Sequence, residues 1–398
     1  MAEVLPLDGI VIVDLTRVLS GPYCTMLLAD MGARVIKIEQ PGRGDDTRGW
    51  GPPFQGSESA YFLSINRNKE SLTLDLKRPE GRAILDRLID RADVLVENFR
   101  PGTMSRLGLA YDTLATKRPS LVYCSISGFG QTGPRRDEPG YDAVIQGEGG
   151  LMSITGEESG PPLRLGVAIS DIVSGMFAAQ GIAMALLARA KTGRGQHVDI
   201  GMLDSTAALL TYQAASYFAT GASPTRLGNR HPTIVPYETF AAADGDLVLA
   251  VGNDELWRSF CNAVGLSALA RDERFATNRD RVVNYEILKP LLDATLRTRS
   301  RAEWIALLNA EGVPCGSVRS VGDVLGDPQI EARGMIAAVE HATLGSLRTL
   351  GVPIKLSDTP ARIRSAAPVL GQHTDSILRG DLGLSDSEVR GLRTAGAI

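Results

Sequence analysis

Short β-branched segments alternate with helical segments along the first half of the chain. Residues 10–15 (IVIVDL) are followed by helical spacing over residues 22–31 and by a second β-branched run at residues 34–39 (RVIKIE). Three further strands are predicted at residues 72–76, 93–98 and 121–126. Alternation of this kind predicts a parallel sheet with helices on both faces.

The loops after these strands are the expected place for a ligand, because ligands of such sheets bind beyond the carboxyl ends of the strands. Residues 16–21, 98–102 and 127–133 are therefore predicted to lie near a common crevice. After a long helical run, residues 221–232 (GASPTRLGNRHP) are rich in Gly, Pro and Asn, which is typical of a linker or a functional loop.

Asp171 stands at the junction between an extended apolar stretch, residues 163–170, and a helical run, residues 172–189. Two interpretations are open. Asp is a favoured N-cap residue, so the position has a purely structural explanation. A carboxylate beside the positive end of a helix dipole, among small apolar neighbours, could instead attack an activated acyl group.

Glycine spacing of the form GxGxxG occurs at Gly128, Gly130 and Gly133, directly after a predicted strand. A dinucleotide site needs the third glycine to open a helix. Pro134 and Pro139 follow instead, and two prolines so close together exclude a regular helix. We therefore predict a glycine-rich loop that lets backbone pass close to a ligand, and not an NAD site.

Two polar segments each have two interpretations. Residues 41–54 (PGRGDDTRGWGPPF) form either a solvated loop or an active-site loop in which Arg43 or Arg48 meets an anion. Residues 66–69 (NRNK) form either a polar turn before a strand or a similar functional loop.

The composition is that of an ordinary soluble globular protein with two domains. The chain has 398 residues, of which 43% are hydrophobic and 22% charged, and its formal net charge is −4. Charges of both signs are mixed along the chain, so nucleic acid is not an expected partner. The long helical run over residues 172–187 is interrupted by Ser, Gln and Gly, which favours a buried core helix over a membrane span.

The cysteines and histidines show no metal-ligand or disulfide spacing. The four Cys and four His are scattered, without CxxC or HExxH, so no metal site is expected. Free thiols favour a reducing compartment, and nothing at the N-terminus reads as a signal peptide. A cytoplasmic location is therefore expected.

A series of motifs runs in one order along nearly the whole chain. They are DLTRVLSGPYCTMLLADMGARVIKIE (residues 14–39), GDDTRGWGPPF (44–54), YFLSINRNKESLTLDLK (61–77), DVLVENFRPG (93–102), SISGFGQTGP, PGYDAV, DIVSGM, KTGRGQHVDIGMLDS, HPTIVPYETF, GVPCG and LGQHT. Together they resemble the class III coenzyme A transferase family (CaiB/BaiF type). That family includes formyl-CoA transferase, carnitine CoA transferases, alpha-methylacyl-CoA racemase and succinate–hydroxymethylglutarate CoA transferase.

The resemblance implies an α/β fold with a large Rossmann-like domain, containing a parallel sheet, built from both chain ends, and a smaller α+β middle domain. The implied boundaries are residues 1–205 for the first part of the large domain, 206–228 for a linker, 229–325 for the small domain and 326–398 for the return. It also implies an interlocked homodimer.

The implied nucleophile is Asp171, in the pattern DxxxG. A carboxylate that attacks an acyl-CoA would give a mixed anhydride and then an aspartyl-CoA thioester, from which a second acid takes the CoA. Coenzyme A thioester is thus a substrate, and no tightly bound cofactor is expected. The implied CoA-binding positions are Val18, Leu19, Ser20, Leu74, Asp75, Lys77, Asn98, Phe99, Arg100, Arg106, Arg136, Tyr141 and Asp142.

The motifs are most similar to those of the succinate–hydroxymethylglutarate type. This implies transfer of CoA from succinyl-CoA, or a similar short acyl-CoA, to a small dicarboxylate, whose second carboxylate would be held by Arg17, Arg48 or Arg164. The alternatives are a transferase for another small acid (formyl-CoA/oxalate or carnitine type), an acyl-CoA racemase or isomerase, and a non-catalytic CoA-binding module. The racemase pattern has GHD where this chain has Gly140, Tyr141 and Asp142.

Overall fold

The computed structural model describes residues 4–398, and the chain divides into two compact units. Unit 1 combines the described part of Met1–Leu151 with Arg164–Ala215 and Pro328–Ile398. Unit 2 combines Met152–Leu163 with Ser216–Asp327. The larger unit therefore draws on both ends of the chain, as the family resemblance implied.

The strands of the described residues are β1 (Val11–Asp14), β2 (Arg34–Glu39), β3 (Phe54–Gln55), β4 (Glu58–Ser59), β5 (Lys69–Thr73), β6 (Val94–Glu97), β7 (Val122–Ser127), β8 (His197–Gly201), β9 (Tyr237–Ala242), β10 (Gly245–Ala250), β11 (Cys315–Ser317), β12 (Ile336–His341) and β13 (Gly345–Leu350).

The α-helices are α1 (Ser20–Asp30), α2 (Ala60–Ile65), α3 (Pro79–Ile89), α4 (Thr103–Arg106), α5 (Tyr111–Lys117), α6 (Asp142–Glu148), α7 (Leu151–Ile154), α8 (Ile169–Thr192), α9 (Met202–Ala208), α10 (Thr211–Thr220), α11 (Asp254–Ala263), α12 (Asn278–Val283), α13 (Tyr285–Leu296), α14 (Arg301–Ala310), α15 (Val321–Leu325), α16 (Pro328–Ala332), α17 (Thr374–Ser376) and α18 (Asp386–Thr394). Short 3-10 turns cover Asp46–Gly49 and Leu269–Arg271, and a π turn covers Ile377–Asp381.

Unit 1 is built on a six-stranded parallel sheet in the order β5-β2-β1-β6-β7-β8. All six strands come from residues 11–201, and the C-terminal segment adds no strand to the sheet. It contributes the hairpin β12–β13 and side chains such as Leu378 and Val389, which pack into the core on one face.

The two faces of the sheet are covered by different helices, because successive strand residues point to opposite sides. Val13 packs with residues of α3 and the C-terminal segment, whereas its neighbour Ile12 packs with Leu28 of α1 and Ile182 of α8. Helices α1 and α8 therefore lie on the same face of the sheet and can contact each other.

The strand order reverses between β1 and β6. The chain proceeds from β1 outward through β2 and β5, then returns to place β6 on the other side of β1 and continues through β7 and β8. A crevice for ligands is expected at such a reversal, beyond the carboxyl ends of the strands. The loops that follow β1 and β6 border it.

The strand predicted at residues 72–76 runs instead over Lys69–Thr73. The segment 66–69, which we considered as a polar turn, is buried throughout: Asn66, Arg67, Asn68 and Lys69 are at most 7% exposed. A polar turn before a strand is confirmed, since Arg67 and Asn68 form a turn directly before β5. Lys69 can be buried because Asp14, Asn66 and the carbonyl of Pro22 are partners for its ammonium group.

A buried network of charges lies under the loop that follows β1. Asp14, Lys37, Asp45 and Lys69 have side chains with no exposed surface. Lys37 Nζ lies 2.9 Å from Asp45 Oδ2, and Lys69 Nζ lies 3.3 Å from Asp14 Oδ2. Lys37 also donates to the carbonyl oxygen of Thr16 at 2.8 Å. Buried charges need such partners, so the network fixes the loop to β1, β2 and β5.

Unit 2 contains an antiparallel sheet in the order β11-β10-β9, packed against helices around Trp257, Leu292 and Trp304. The division between the units differs from the predicted one. Helix α10 occupies part of the predicted linker 206–228, and Met152–Leu163 joins unit 2. The irregular segment 221–236 matches the Gly/Pro-rich stretch, whereas the Ala-rich residues before it form helix.

Helix α8 extends beyond its predicted bounds at both ends, over Ile169–Thr192. Within the described residues it is the helix that is long and apolar enough to cross a membrane by length and composition alone. Its first turns bury Ser170, Asp171 and Ser174 against the rest of unit 1. The interpretation as a core helix stays a prediction.

Replacing Lys37 with Met should lower the free energy of unfolding by about 3–5 kcal/mol, because it leaves the Asp45 carboxylate buried without its cation. Urea denaturation measures this. The control is Lys117→Met at an exposed position of α5, which should change stability by no more than about 0.5 kcal/mol. Equal losses in both variants would show that the buried pair is not what stabilises this region.

Candidate active site

Two cavities open at the carboxyl edge of the unit 1 sheet, one of about 320 Å³ and one of about 160 Å³. Arg17, Asp46 and Phe99 line both, so the cavities adjoin. The larger is also lined by Leu74, Asp75 and Lys77, and the smaller by Val18, Ser20, Asn98, Arg100, Tyr141 and Asp171. The sequence-predicted nucleophile and most of the predicted CoA-binding residues therefore come together here.

The loops after β1 and β6 are joined by one side chain. Asn98 accepts the N–H of Arg17 at 2.8 Å and donates to the carbonyl of Arg17 at 2.7 Å. The guanidinium of Arg17 lies 5.5 Å from the centre of the Phe99 ring and 3.5 Å from Asp46 Oδ2. The walls shared by the two cavities are thus fixed by a two-point amide contact.

Val18 has a φ of 70°, a left-handed conformation that a β-branched residue adopts only under constraint. Its N–H donates to Asp45 Oδ1 at 3.2 Å, and Asp45 is the partner of buried Lys37. The strain lies directly before α1, beside the cavity that contains Asp171, which is where strained backbone tends to be functional.

Asp171 is brought to this loop by a close approach of α8 to α1. A Cβ atom at Gly175 would lie 2.6 Å from the carbonyl oxygen of Ser20 and 3.3 Å from the amide nitrogen of Cys24. Only glycine permits that distance. Because residues four apart share a helix face, the contact at Gly175 positions Asp171 beside the first turn of α1, which explains the DxxxG spacing.

The interpretation of Asp171 as the helix N-cap is wrong. Helix α8 begins at Ile169, and no side chain of its own N-cap residue, Ala168, satisfies the first turn. Asp142 does so from α6, by accepting the N–H of Ser170 at 2.9 Å. Asp142, which we predicted to bind CoA, thus positions the helix that carries Asp171 and does not line either cavity.

The carboxyl group of Asp171 has an unusual protonation equilibrium. Burial, followed by the charge of Asp142, raises its pKa to about 7, while a hydrogen bond from Ser20 opposes the shift. A carboxyl group tuned to neutrality in a cavity is a candidate for chemistry.

The glycine-rich loop after β7 contains no helix, as its prolines predicted. Its ends meet where Gly128 and Gly140 face each other: a Cβ on Gly128 would lie 2.7 Å from Cα of Gly140. The contact closes the loop and brings Tyr141 to the smaller cavity. The loop therefore shapes the cavity through its backbone.

Three other predicted CoA-binding residues do not line the cavities. Leu19 is buried just before α1, Arg106 donates to the hydroxyl of Thr103 at 2.9 Å, and Arg136 pairs on the surface with Asp137 at 3.5 Å. Their roles stay predictions.

The three arginines considered for a substrate carboxylate differ in their availability. Arg17 lines both cavities with a half-exposed side chain. Arg48 forms two hydrogen bonds of 2.7 Å to the buried Glu39 carboxylate and lies 3.7 Å from the Phe62 ring centre, so its fork is already occupied. Arg164 is exposed and lines neither cavity. The geometry therefore favours Arg17.

Sequence reasoning assigned no role to Tyr61. Burial, then the charges of Asp171 and Asp142, raises the pKa of its hydroxyl to about 12, so the phenol stays protonated at neutral pH. Its ring makes an edge contact with Trp50 at 5.2 Å. The one signal in the sequence was an aromatic pair, with Trp50 inside the Gly/Pro-rich loop of residues 41–54 and Tyr61 shortly after it.

The chain belongs to the CoA-transferase family III, whose family model matches residues 7–374. It is therefore a class III CoA transferase, the class that the motifs resembled.

Individual relatives cover nearly all of the chain. A succinate–glutarate CoA-transferase of Agrobacterium fabrum is 43% identical over 94% of this chain and 95% of its own. An acetyl-CoA:oxalate CoA-transferase of Acetobacter aceti is 44% identical over 92% and 93%. The crystal structure of a CaiB/BaiF family protein from Brucella suis matches with a TM-score of 0.84 at 43% identity, over 95% and 99%.

Replacing Gly175 with Ala should destabilise the protein by about 1–3 kcal/mol, because the added methyl group forces α1 and α8 apart. Thermal or urea unfolding measures the loss. Gly391→Ala, in the middle of α18 with open space around its Cα, is the matched control and should stabilise by up to about 1 kcal/mol. A Gly175→Ala variant as stable as the native protein would refute the close-contact argument.

Proposed function

We propose that Asp171 is the nucleophile of a CoA transfer that proceeds through a covalent aspartyl-CoA thioester. The observation that carries the proposal is a carboxyl group with a pKa of about 7 in a cavity at the switch point of the sheet. Family membership supplies the reaction class.

The transfer proceeds in two exchanges. The Asp171 carboxylate attacks the thioester carbonyl, the C–S bond breaks and CoA leaves as thiolate, so that a mixed anhydride of Asp171 and the donor acid remains. The thiolate then attacks the Asp171 carbonyl carbon, releases the first acid as carboxylate and forms the aspartyl thioester. The acceptor carboxylate repeats both steps in reverse, so no oxidant or proton is consumed. Covalent catalysis of this kind divides one difficult step into easier ones.

The start of α1 supplies an electrostatic environment for these steps. Its first turn contains no acidic residue, and its N-cap residue Leu19 makes no side-chain cap. Backbone N–H groups at a helix N-terminus stabilise negative charge. Ser20 lines the same cavity as Asp171. We propose that this turn stabilises the oxyanions that develop during attack.

The substrates we propose are succinyl-CoA, or a similar short acyl-CoA, and a small dicarboxylic acid. The support is the Agrobacterium relative named for succinate and glutarate, together with Arg17 at the junction of the cavities. An arginine fork suits a second carboxylate. Oxalate is the second candidate acceptor, because the Acetobacter relative is named for it at similar identity.

We also propose a homodimer. Helix α8 exposes a row of large apolar side chains, Met176, Phe177, Met184 and Leu187, each at least 37% exposed in the single chain. A contiguous apolar surface of this kind is typical of a protein interface. We expect no nucleic acid or membrane partner. A cytoplasmic location is proposed from the four free thiols.

Asp171→Asn should abolish transfer, lowering kcat by about 10³-fold or more, since the amide neither attacks the thioester nor forms the anhydride. The measurement is exchange of labelled succinate into succinyl-CoA, read by mass spectrometry. Hydroxylamine should trap the native intermediate on the peptide containing Asp171, and not in the variant.

The pH dependence of the native enzyme provides the control. Because the pKa of Asp171 is raised to about 7 and attack needs the carboxylate, kcat should fall about tenfold from pH 8 to pH 6. In Asp142→Asn the neighbouring negative charge is removed, and the midpoint should move to lower pH. Full transfer by Asp171→Asn, or an identical profile for Asp142→Asn, would contradict the proposed role.

Arg17→Met should raise the KM for a dicarboxylate acceptor about 10- to 100-fold, because a charge-assisted contact is lost. A monocarboxylate of similar size should be affected much less. The measurement is steady-state kinetics with succinate, glutarate, oxalate and butyrate as acceptors. Arg164→Met is the matched control. An unchanged preference for dicarboxylates in Arg17→Met would exclude this residue.

A further inference from the structure

Glu97 is a buried carboxyl group that the proposed chemistry does not use. It is the last residue of β6 and is only 3% exposed. Within residues 4–398 it has no lysine or arginine partner, unlike the buried Asp14 and Asp45. Its Oε2 accepts the N–H of Phe99 at 2.9 Å. A buried acid without a cation calls for an explanation, since burial of an unpaired charge is costly.

Glu97 lies in a row of polar groups that crosses three strands. Ser125 on β7 is the register partner of Glu97, and hydrogen bonding by its hydroxyl lowers the pKa of the Glu97 carboxyl group. The same hydroxyl lies 3.0 Å from Nε2 of His197 on β8. Because the hydroxyl stands between the acid and the imidazole, the row is not a hydrolytic triad, in which the imidazole is central.

The charged and titratable groups around this row come from three elements. Asp199 on β8 faces Glu97, and Tyr123 on β7 lies next to it. Tyr111 on α5 stacks on His197 at 5.0 Å. Asp112 on α5 and Asp199 oppose the effect of burial, which lowers the pKa of His197.

The protonation of Glu97 falls near neutrality. Burial raises its pKa to about 7, with a further contribution from Asp199, while Ser125 and the N–H of Phe99 act in the opposite direction. The N–H of Phe99 connects the Glu97 carboxyl group to the cavities, and the hydroxyl of Ser125 connects it to His197.

The turn that Glu97 supports forms the shared wall of the two cavities. The ring of Phe99 lines both, and Asn98 holds the backbone of Arg17 at two points. A carboxylate accepts an N–H more strongly than a neutral carboxyl group does. When Glu97 is protonated, it can donate to Ser125, whose hydroxyl then donates to a neutral His197. Protonation also weakens the hydrogen bond that Glu97 accepts from the N–H of Phe99.

We propose that Glu97 is a positioning residue for the acyl-CoA substrate, whose carboxylate form fixes the turn at Phe99 and so makes CoA binding depend on pH. The inference rests on the proposed acyl-CoA site. Glu97 acts through Phe99 and Asn98 and does not touch the substrate itself. Ser125 couples it to His197, so the row changes its hydrogen-bond direction as a unit.

The experiment measures the Kd of dephospho-CoA by calorimetry between about pH 8 and about pH 6 in the Asp171→Asn background. That variant removes the titration of Asp171, and the ligand lacks the 3′-phosphate that titrates in the same range. The Kd should rise about 3- to 10-fold as the pH falls. The double variant Asp171→Asn, Glu97→Gln keeps an amide at position 97 that accepts the N–H of Phe99 and donates to Ser125. Its Kd for dephospho-CoA should stay constant within about twofold over the same pH range.

A second variant tests the coupling. Ser125→Ala removes a hydrogen bond that favours the carboxylate, so the midpoint of the Kd profile should move to higher pH. Circular dichroism and thermal unfolding confirm that each variant is folded. Identical pH profiles with Glu and Gln at position 97 would overturn the inference.

Two other outcomes are equally decisive. If dephospho-CoA binds more tightly at lower pH, and this pH dependence is absent in the Glu97→Gln variant, then Glu97 repels the phosphates of the ligand. The positioning role would then be wrong. If the folded Asp171→Asn variant does not bind dephospho-CoA even at about pH 8, the proposed acyl-CoA site is wrong. If it binds but the Kd has the same pH dependence with Glu and with Gln at position 97, only the role of Glu97 is wrong.

Discussion

The approach of α8 to α1 at Gly175 is the contact on which the candidate site depends. Without it, a carboxyl group at the start of α8 would have no reason to lie beside the loop after β1. The distance is possible because position 175 has no Cβ and because both helices cover the same face of the sheet. Asp142 completes the arrangement by satisfying the N–H of Ser170. Three elements therefore fix one carboxyl group, and its pKa follows from that confinement.

The loop after β1, which lies beside Asp171, is held in place by the buried ion pairs of Lys37 and Lys69. Lys37 binds both Asp45 and the carbonyl of Thr16, and Asp45 in turn holds the N–H of Val18. Such pairs contribute little net stability compared with an apolar core of the same volume, whereas breaking one is costly. Their value here is geometric: they place polar atoms at defined positions under a ligand site that must keep its shape when the ligand leaves.

The sequence predicted the alternating architecture and the loops that border the site, because hydrophobic periodicity is a local property. It did not predict where β5 begins, because Asp14 and the carbonyl of Pro22, which allow Lys69 to be buried in the strand, are distant in the chain. Asp171 was identifiable as a candidate, yet its position alone favoured an N-cap, since the residue that does cap the helix, Asp142, is 28 residues from the Ser170 N–H that it accepts. Arg48 illustrates the same limit. Its charge and its position in a loop suggested a contact with the substrate, but its guanidinium group is already bound to Glu39 and packed on the ring of Phe62.

The left-handed backbone at Val18 has a consequence for how this enzyme can be improved. A glycine there would relax the local conformation and remove the conflict between Cβ and backbone. The relaxed loop would also sample other conformations, so the amides at the start of α1 would lose their fixed direction. Natural proteins commonly keep such costs where activity requires rigidity. We expect that a variant of this chain selected only for heat tolerance would acquire a glycine at position 18 early, and that its turnover would fall as a result.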